Sequence, residues 1–349
     1  MQAPGPSVSA KAPRSSEVRD RRPVGMIGEP VLDLLMLLGG AVLLYLGADW
    51  LVGGAAALAR SLGISSLLIG LTVVAYGTSM PELLVSVQSA LGGHRDIALG
   101  NVLGSNTANL GLILGATTSL RTTRIDGALR RRELPVLMLS ACLVPLLLWD
   151  GEVTRWEGAG LLALALGYTG WMILGSTAAG RAVSVTAEAA DPPDAPSTRP
   201  GRVRLAAFTL VGLVVLMLGG QLLVEGAIGT ARAIGISERV VGLTIVAVGT
   251  SLPELATSLI AAWRGYSEIA VGNLIGSNIF NVLVCLGAAS IAGPVGAPLG
   301  ALTIDLSFMI GLTMLACLMM RTERTMTRVE GGLLFASYAA FVALVITLR

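Results

Sequence analysis

The sequence predicts an all-α integral membrane protein with ten transmembrane helices in two inverted five-helix repeats, helices 2 and 7 being broken. Three observations carry that prediction. Of the 349 residues, 54% are hydrophobic and only 13% charged, with a mean hydropathy of +0.77, whereas soluble domains carry about 25% charged residues. The apolar residues gather into ten runs, five on each side of a polar, proline-rich stretch. The second five also repeat the first. GLTVVAYGTSMPELLVSVQSALGGHRDIALGNVLGSNTANLGLILG, starting at Gly70, aligns without a gap on GLTIVAVGTSLPELATSLIAAWRGYSEIAVGNLIGSNIFNVLVCLG, starting at Gly242, at a constant offset of 172.

Taken in order, residues 1–29 are rich in Pro, Ser and Arg and lack the short apolar stretch of a secretory signal, so they read as a disordered N-terminal tail. The first repeat, 30–176, holds apolar runs near 31–60, 64–91, 97–120, 134–149 and 158–176. Residues 177–203 are polar and Pro-rich and read as a flexible linker. The second repeat, 204–349, holds runs near 205–234, 240–263, 269–291, 301–320 and 331–348. The duplication extends beyond the central motifs. LGADWLVGGAAALARSLGIS from Leu46 answers LGGQLLVEGAIGTARAIGIS from Leu218, and TRWEG from Thr154 answers TRVEG from Thr327 at an offset of 173. An odd number of spans per unit forces the second copy to enter the membrane upside down, the plan of many secondary transporters with a site at the pseudo-two-fold.

Loop charge gives an orientation. Arg60, the five arginines of 121–132, the arginines around the linker, Arg264 and those of 321–328 share one side of the membrane. By the positive-inside rule that side is cytoplasmic, with both termini outside a cell membrane; the five basic residues of the tail count against it. Cys142, Cys285 and Cys317 lie in apolar runs without metal-ligand spacing and read as buried small hydrophobes. His94, the only histidine, sits in a GGHRD turn. Nothing in the composition points to a cofactor or to nucleic acid.

The chemistry lies in GTSxPE. Pro81 has no N–H for the carbonyl of Gly77, so the helix should unwind around Gly77–Ser79 and expose carbonyl oxygens. Irregular backbone at that depth is tolerated only where it lines a protein or water cavity. A helix restarting at Ser79 carries Glu82 in its first turn, where the dipole favours a carboxylate. Gly249, Ser251, Pro253 and Glu254 repeat the arrangement. A carboxylate inside a membrane span is a functional-site hypothesis by default. The plainer explanation is a capping box, Ser79-x-x-Glu82 and Ser251-x-x-Glu254, in which each Glu serves only its own helix start; two copies in a bilayer, each with a Pro break, weigh against it.

In GNxxGSNxxN, Asn101, Ser105 and Asn109 are spaced by four and form one polar stripe, which Asn273, Ser277 and Asn281 repeat. Close helix packing accounts for Gly100, Gly104 and Gly111, and for Asn101 and Asn273, but less well for the whole polar set. Two carboxylates with hydroxyl, amide and carbonyl oxygens around one point suit Ca²⁺ or Na⁺, both hard cations. A site that takes either ion but not both together is a mechanism for antiport.

At these residues the chain resembles a sodium/calcium exchanger of the cation/calcium exchanger superfamily, whose alpha repeats carry the paired GTSxPE and GNxxGSN motifs. The resemblance covers all but the tail and linker. It implies Na⁺/Ca²⁺ exchange by alternating access in a monomeric transport unit, with the first helix of each repeat sliding as a gate. By motif position it implies Glu82 and Glu254 as shared ligands, with carbonyl oxygens from Ala75, Thr78, Ala247 and Thr250. Ser79, Ser251, Ser105 and Ser277 would complete the Na⁺ sites, and Asn109 is the central Asn. Asn281 departs from relatives that carry Asp there, which argues against K⁺ co-transport. The alternatives are a Ca²⁺/H⁺ antiporter using the same two glutamates, a passive channel, and an intramembrane hydrolase. The last is opposed by the absence of any Lys or His in a span to activate Ser79 or Ser251. The chain is thus expected not to be an enzyme.

Overall fold

Long apolar runs can satisfy their backbone in lipid only as helices, and each described run is helical in the computed structural model, which describes residues 28–127, 129–187, 201–234, 247–322 and 325–348. In chain order these are α1 (Gly28–Leu62), α2 (Ser66–Thr78), α3 (Met80–Leu91), α4 (Arg95–Leu120), α5 (Leu134–Leu147) and α6 (Arg155–Ala187). There follow α7 (Arg202–Ala233), the short α8 (Ala247–Gly249), α9 (Leu252–Trp263), α10 (Ser267–Ala292), α11 (Leu299–Thr322) and α12 (Arg328–Leu348). Among the described residues, seven helices are long and apolar enough to cross a bilayer, and α2 with α3 makes an eighth, bent by 44° at Ser79.

Two boundaries differ from the sequence reading. The linker was expected at 177–203, but α6 continues to Ala187, about three turns past Ser176. TAAGRAVSVTA is Ala-rich and has no Pro before Pro192 to stop it. Residues 188–200, and the tail up to 27, lie outside the described residues. Helix α1 starts at Gly28, with Pro30 in its first turn, a position that costs no hydrogen bond.

α4 and α10 are the most buried spans and form the middle of the molecule, while α1, α6, α7 and α12 expose most of their apolar surface, as helices facing lipid do. Gly272 and Gly276 of α10 let α2 cross it closely: an added Cβ would lie 2.9 Å from the Leu67 carbonyl oxygen and 2.6 Å from that of Leu71. Among the described residues nothing lies within 4 Å of a Cβ added at Gly100 or Gly104, so the close packing expected there is not seen. Gly111 faces Tyr338, whose Cβ would be 2.7 Å from the added atom.

A glycine seam holds α1 to α7. Gly40, Gly47 and Gly54 recur every seven residues along α1, as Gly212, Gly219 and Gly226 do along α7. Seven residues are close to two turns, so each set forms one stripe. An added Cβ would lie 2.5 Å from Leu223 N at Gly40, 2.5 Å from Leu51 N at Gly212 and 2.6 Å from the Asp33 carbonyl oxygen at Gly226. Contacts whose numbers rise on one helix as they fall on the other make the pair antiparallel, backbone against backbone.

Four two-residue strands, not foreseen from the sequence, tie the loops. β1 (Thr123–Arg124) pairs with β4 (Thr325–Met326), and β2 (Glu152–Val153) with β3 (Val295–Gly296), both antiparallel. The repeat carries β1 onto β3 at an offset of 172 and β2 onto β4 at 173, so it exchanges one pair for the other. Immediately after β2 and β4 the two TRxEG segments form true capping boxes. Thr154 N donates to Glu157 Oε2 at 2.8 Å and Glu157 N to Thr154 Oγ1 at 3.4 Å; Thr327 and Glu330 do the same at 2.7 and 3.3 Å.

Candidate functional site

The break between α2 and α3 is confined to one residue. Ser79 leaves the helical region at φ −86°, ψ 8°, and Ser251, between α8 and α9, does the same at φ −90°, ψ 6°. The expected unwinding from Gly77 is not seen: Gly77 stays helical in Ala75–Thr78, so it is small for another reason. Leu213 Cδ2 of α7 stands 2.7 Å from where its Cβ would be, and Val224 Cγ2 holds the same place against Gly249 at 2.6 Å.

Each serine at a break ignores its own helix. Neither Ser79 nor Ser251 makes a side-chain cap bond. Ser79 Oγ instead donates to Glu254 Oε1 at 2.9 Å, and Ser251 Oγ to Glu82 Oε1 at 3.2 Å, so the two bonds cross between the halves. Both glutamates are fully buried, and the second oxygen of each, Oε2, has no hydrogen-bond partner. An unmatched carboxylate oxygen away from water costs several kcal/mol, which an ion or ordered water would offset.

Around this pair the other polar groups sort into bound and free. Ala75 O accepts from Ser79 N at 3.1 Å and Ser277 Oγ at 3.5 Å, which ties the end of α2 to α10. Thr78 Oγ1 donates to Asn273 Oδ1 at 3.1 Å, and Asn273 Nδ2 to Ser258 Oγ at 3.2 Å. Asn101 Nδ2 mirrors this, donating to Ser86 Oγ at 2.9 Å and to the Glu82 carbonyl at 3.0 Å. These two asparagines thus fasten helices around the glutamates. Thr250 Oγ1 is buried and unbonded. Ser105 is buried on α4, and Ala247 opens α8, which packs against α4.

Asn109 and Asn281 are not equivalent. Each opens a π-helical turn, Asn109–Leu114 and Asn281–Leu286, of the kind frequent at functional sites. Asn281 is committed: its Nδ2 donates to Asn106 Oδ1 at 3.1 Å and its Oδ1 accepts from Cys285 Sγ at 3.4 Å. Asn109 is fully buried with neither amide atom bonded. The asymmetry originates in Asn106 and Asn278, which the sequence reading left out of the site. Asn106 reaches across to the Asn278 carbonyl at 3.3 Å, whereas Asn278 turns back to Leu274 O at 2.8 Å. Their presence in both copies of GSNxxN was the available signal.

A cavity of about 420 Å³ lies beside the breaks, against residues that flank Ser79 and Ser251. Pro81 and Gln88 of α3, Gln221 and Glu225 of α7, and Thr250 and Pro253 line it. On the far side of the break, Arg264 at the end of α9 pairs with Asp49 of α1. The repeat offset carries Asp49 onto Gln221 and Arg264 onto Gly92, so the ion pair has no charged counterpart where the cavity lies.

The family model described as sodium/calcium exchanger protein matches residues 32–174 and 204–347, which is most of the chain and both halves of it. The chain belongs to the sodium/calcium exchanger family. Among its relatives, the sodium/calcium exchanger MaX1 of Methanosarcina acetivorans is 31% identical over 341 residues, covering 89% of this chain and 97% of that one. The inner membrane protein YrbG of Escherichia coli is 36% identical over 318 residues, covering 90% and 97%. Among solved structures, that of the sodium-calcium exchanger NCX_Mj superposes with a TM-score of 0.78 at 30% identity, covering 92% of this chain and all of that one. This member of the family is therefore a multi-span, all-helical cation exchanger with the NCX_Mj-like fold.

Proposed function

We propose that the chain is a secondary-active antiporter that exchanges Na⁺ for Ca²⁺ by alternating access at a site around Glu82 and Glu254. The observation that carries this reading is the crossed pair of Ser–Glu bonds, which presents two free carboxylate oxygens from opposite halves to one buried region. Two carboxylates can neutralise one Ca²⁺ or be shared among Na⁺ ions, which accounts for mutual exclusion. Ca²⁺ takes 6–8 oxygens in flexible geometry. The Asn109 amide, the Thr250 hydroxyl and carbonyls of Ala75, Thr78, Ala247 and Thr250 are the neutral oxygens within the two motifs that supply them, with Ser79, Ser251, Ser105 and Ser277 turning toward Na⁺. Asn281, bonded to Asn106 and Cys285, acts on Asn106 rather than on the ion.

The ten spans form two inverted five-helix repeats, helix 7 breaking at Ser251 as helix 2 does at Ser79. The exchange of β1·β4 for β3·β2 and the antiparallel α1/α7 pair support that arrangement. Both termini lie outside, the linker lies in the cytoplasm, and the cavity beside Gln221 is the outer entrance, with Asp49–Arg264 closing the inner one. One chain suffices for transport. The test is Ca²⁺ flux into proteoliposomes under an imposed Na⁺ gradient and, separately, an imposed pH gradient. Flux driven by Na⁺ alone is expected; flux driven by the pH gradient alone would transfer the site to Ca²⁺/H⁺ exchange.

A further inference from the structure

Between the end of α4 and the start of α5 lies a polar cavity of about 800 Å³ that takes no part in the carboxylate site. Asp126, Arg130, Arg131 and Pro135 line it from this connection, and Arg321 from the end of α11. Three arginines and one aspartate thus line it, with Glu268 of α10 near Asp126. Among the described residues none of the three arginines makes an ion pair, and the Nε of Arg130 is buried without a hydrogen-bond partner.

Their position is electrostatically adverse. Arg130 and Arg131 occupy the π-helical turn Leu129–Glu133 that leads into α5, where the helix dipole favours negative charge. Unpaired cations stacked on the positive end of a helix call for an anion. The fold does not require them either. The offset of 172 carries Arg130 and Arg131 onto Leu302 and Thr303, and that of 173 carries Arg321 back onto Leu148, so only one membrane face has the basic cavity. Arginines that served only to set topology could be solvated anywhere in the loop, and no Nε would need to be buried.

Apolar surface continues along the same faces of α5 and α11 toward the membrane. Leu139 lies four residues after Pro135 on α5, and Met314 seven before Arg321 on α11, spacings that keep each on the face of its cavity residue. Leu139 is 68% and Met314 53% exposed, and α5 packs against α11. We propose that this cavity holds the phosphate of an anionic membrane phospholipid, bound by Arg130, Arg131 and Arg321, with its hydrocarbon along Leu139 and Met314. Guanidinium forks match phosphate oxygens in pairs, and the headgroup layer at the ends of the spans is where such a lipid is available.

The test uses the full chain in mild detergent, equilibrated with phosphatidylglycerol, phosphatidylcholine or inorganic phosphate, with bound lipid counted by native mass spectrometry. Phosphatidylglycerol is expected to be retained at least about tenfold more than phosphatidylcholine, and the R130Q/R131Q/R321Q variant to lose that preference. Equal retention of the two lipids, or an unchanged preference in the variant, would overturn the proposal. Displacement of phosphatidylglycerol by equimolar inorganic phosphate would reassign the cavity to free phosphate and equally overturn it. If the triple variant does not fold as a monodisperse species, Arg321→Gln alone should lower retention about fivefold, and no change there is decisive against the lipid.

Discussion

The same residue pattern, a hydroxyl amino acid three before a glutamate, does two different jobs in this chain. In Thr154–Glu157 and Thr327–Glu330 it closes a capping box on its own helix. In Ser79–Glu82 and Ser251–Glu254 the hydroxyl abandons the local amide for the glutamate of the other half. Removing the hydroxyl should therefore have opposite consequences in the two contexts. Thr154→Ala is expected to cost about 1 kcal/mol of stability and to leave exchange intact, whereas Ser79→Ala should impair exchange with little loss of stability. Thermal unfolding and proteoliposome flux on both variants would show whether the split is real. Glu82→Gln or Glu254→Gln should abolish exchange in a folded protein, and normal flux in either would remove the site. Asn109→Leu should weaken ion binding more than Asn281→Leu, because only Asn109 keeps its amide free; isothermal titration with Ca²⁺ would compare them.

Among the elements, the α1/α7 pair stands apart. Its glycines bring two backbones into contact, and packing this close couples any displacement of one helix to the other. That suits the sliding gate which the family resemblance implies. An added methyl at Gly40 or Gly212 must push apart backbone rather than a flexible side chain, and such overpacking costs about 1–3 kcal/mol. Gly212→Ala should lower the unfolding temperature and slow exchange together, while Gly39→Ala, where nothing lies within 4 Å, should do neither. The Asp49–Arg264 pair joins α1 to the end of α9 on one side only. Asp49→Asn should raise the share of molecules open on the Arg264 side, which reactivity of a cysteine placed at the buried Ile260 would report; unchanged reactivity would deny the pair a gating role.

At the scale of the whole molecule, two halves related by a fixed sequence offset contribute the same groups but not the same bonds. Asn106 crosses to the other half, while Asn278 turns back on its own helix. A cavity lies beside Gln221, and an ion pair stands where its mirror image would be. On the alternating-access mechanism proposed above, ion exchange would pass from one asymmetric arrangement to its opposite. A Na⁺ gradient imposed from either face should then drive Ca²⁺ the other way, at rates limited by conformational cycling; single-channel currents would contradict that.

The sequence by itself determined the helical membrane class, the duplication and the two carboxylates, because hydropathy, a gapless offset and an acid within an apolar run are properties of residues and spacing alone. It also marked the asparagine stripe, though not which members stay free. Which hydroxyl serves a cap and which a distant glutamate, how α1 meets α7, and where the four short strands join were decided only by tertiary structure. Each of these depends on partners more than a hundred residues away, and neither local propensity nor periodicity can specify a bond to a residue whose position is set by the rest of the fold.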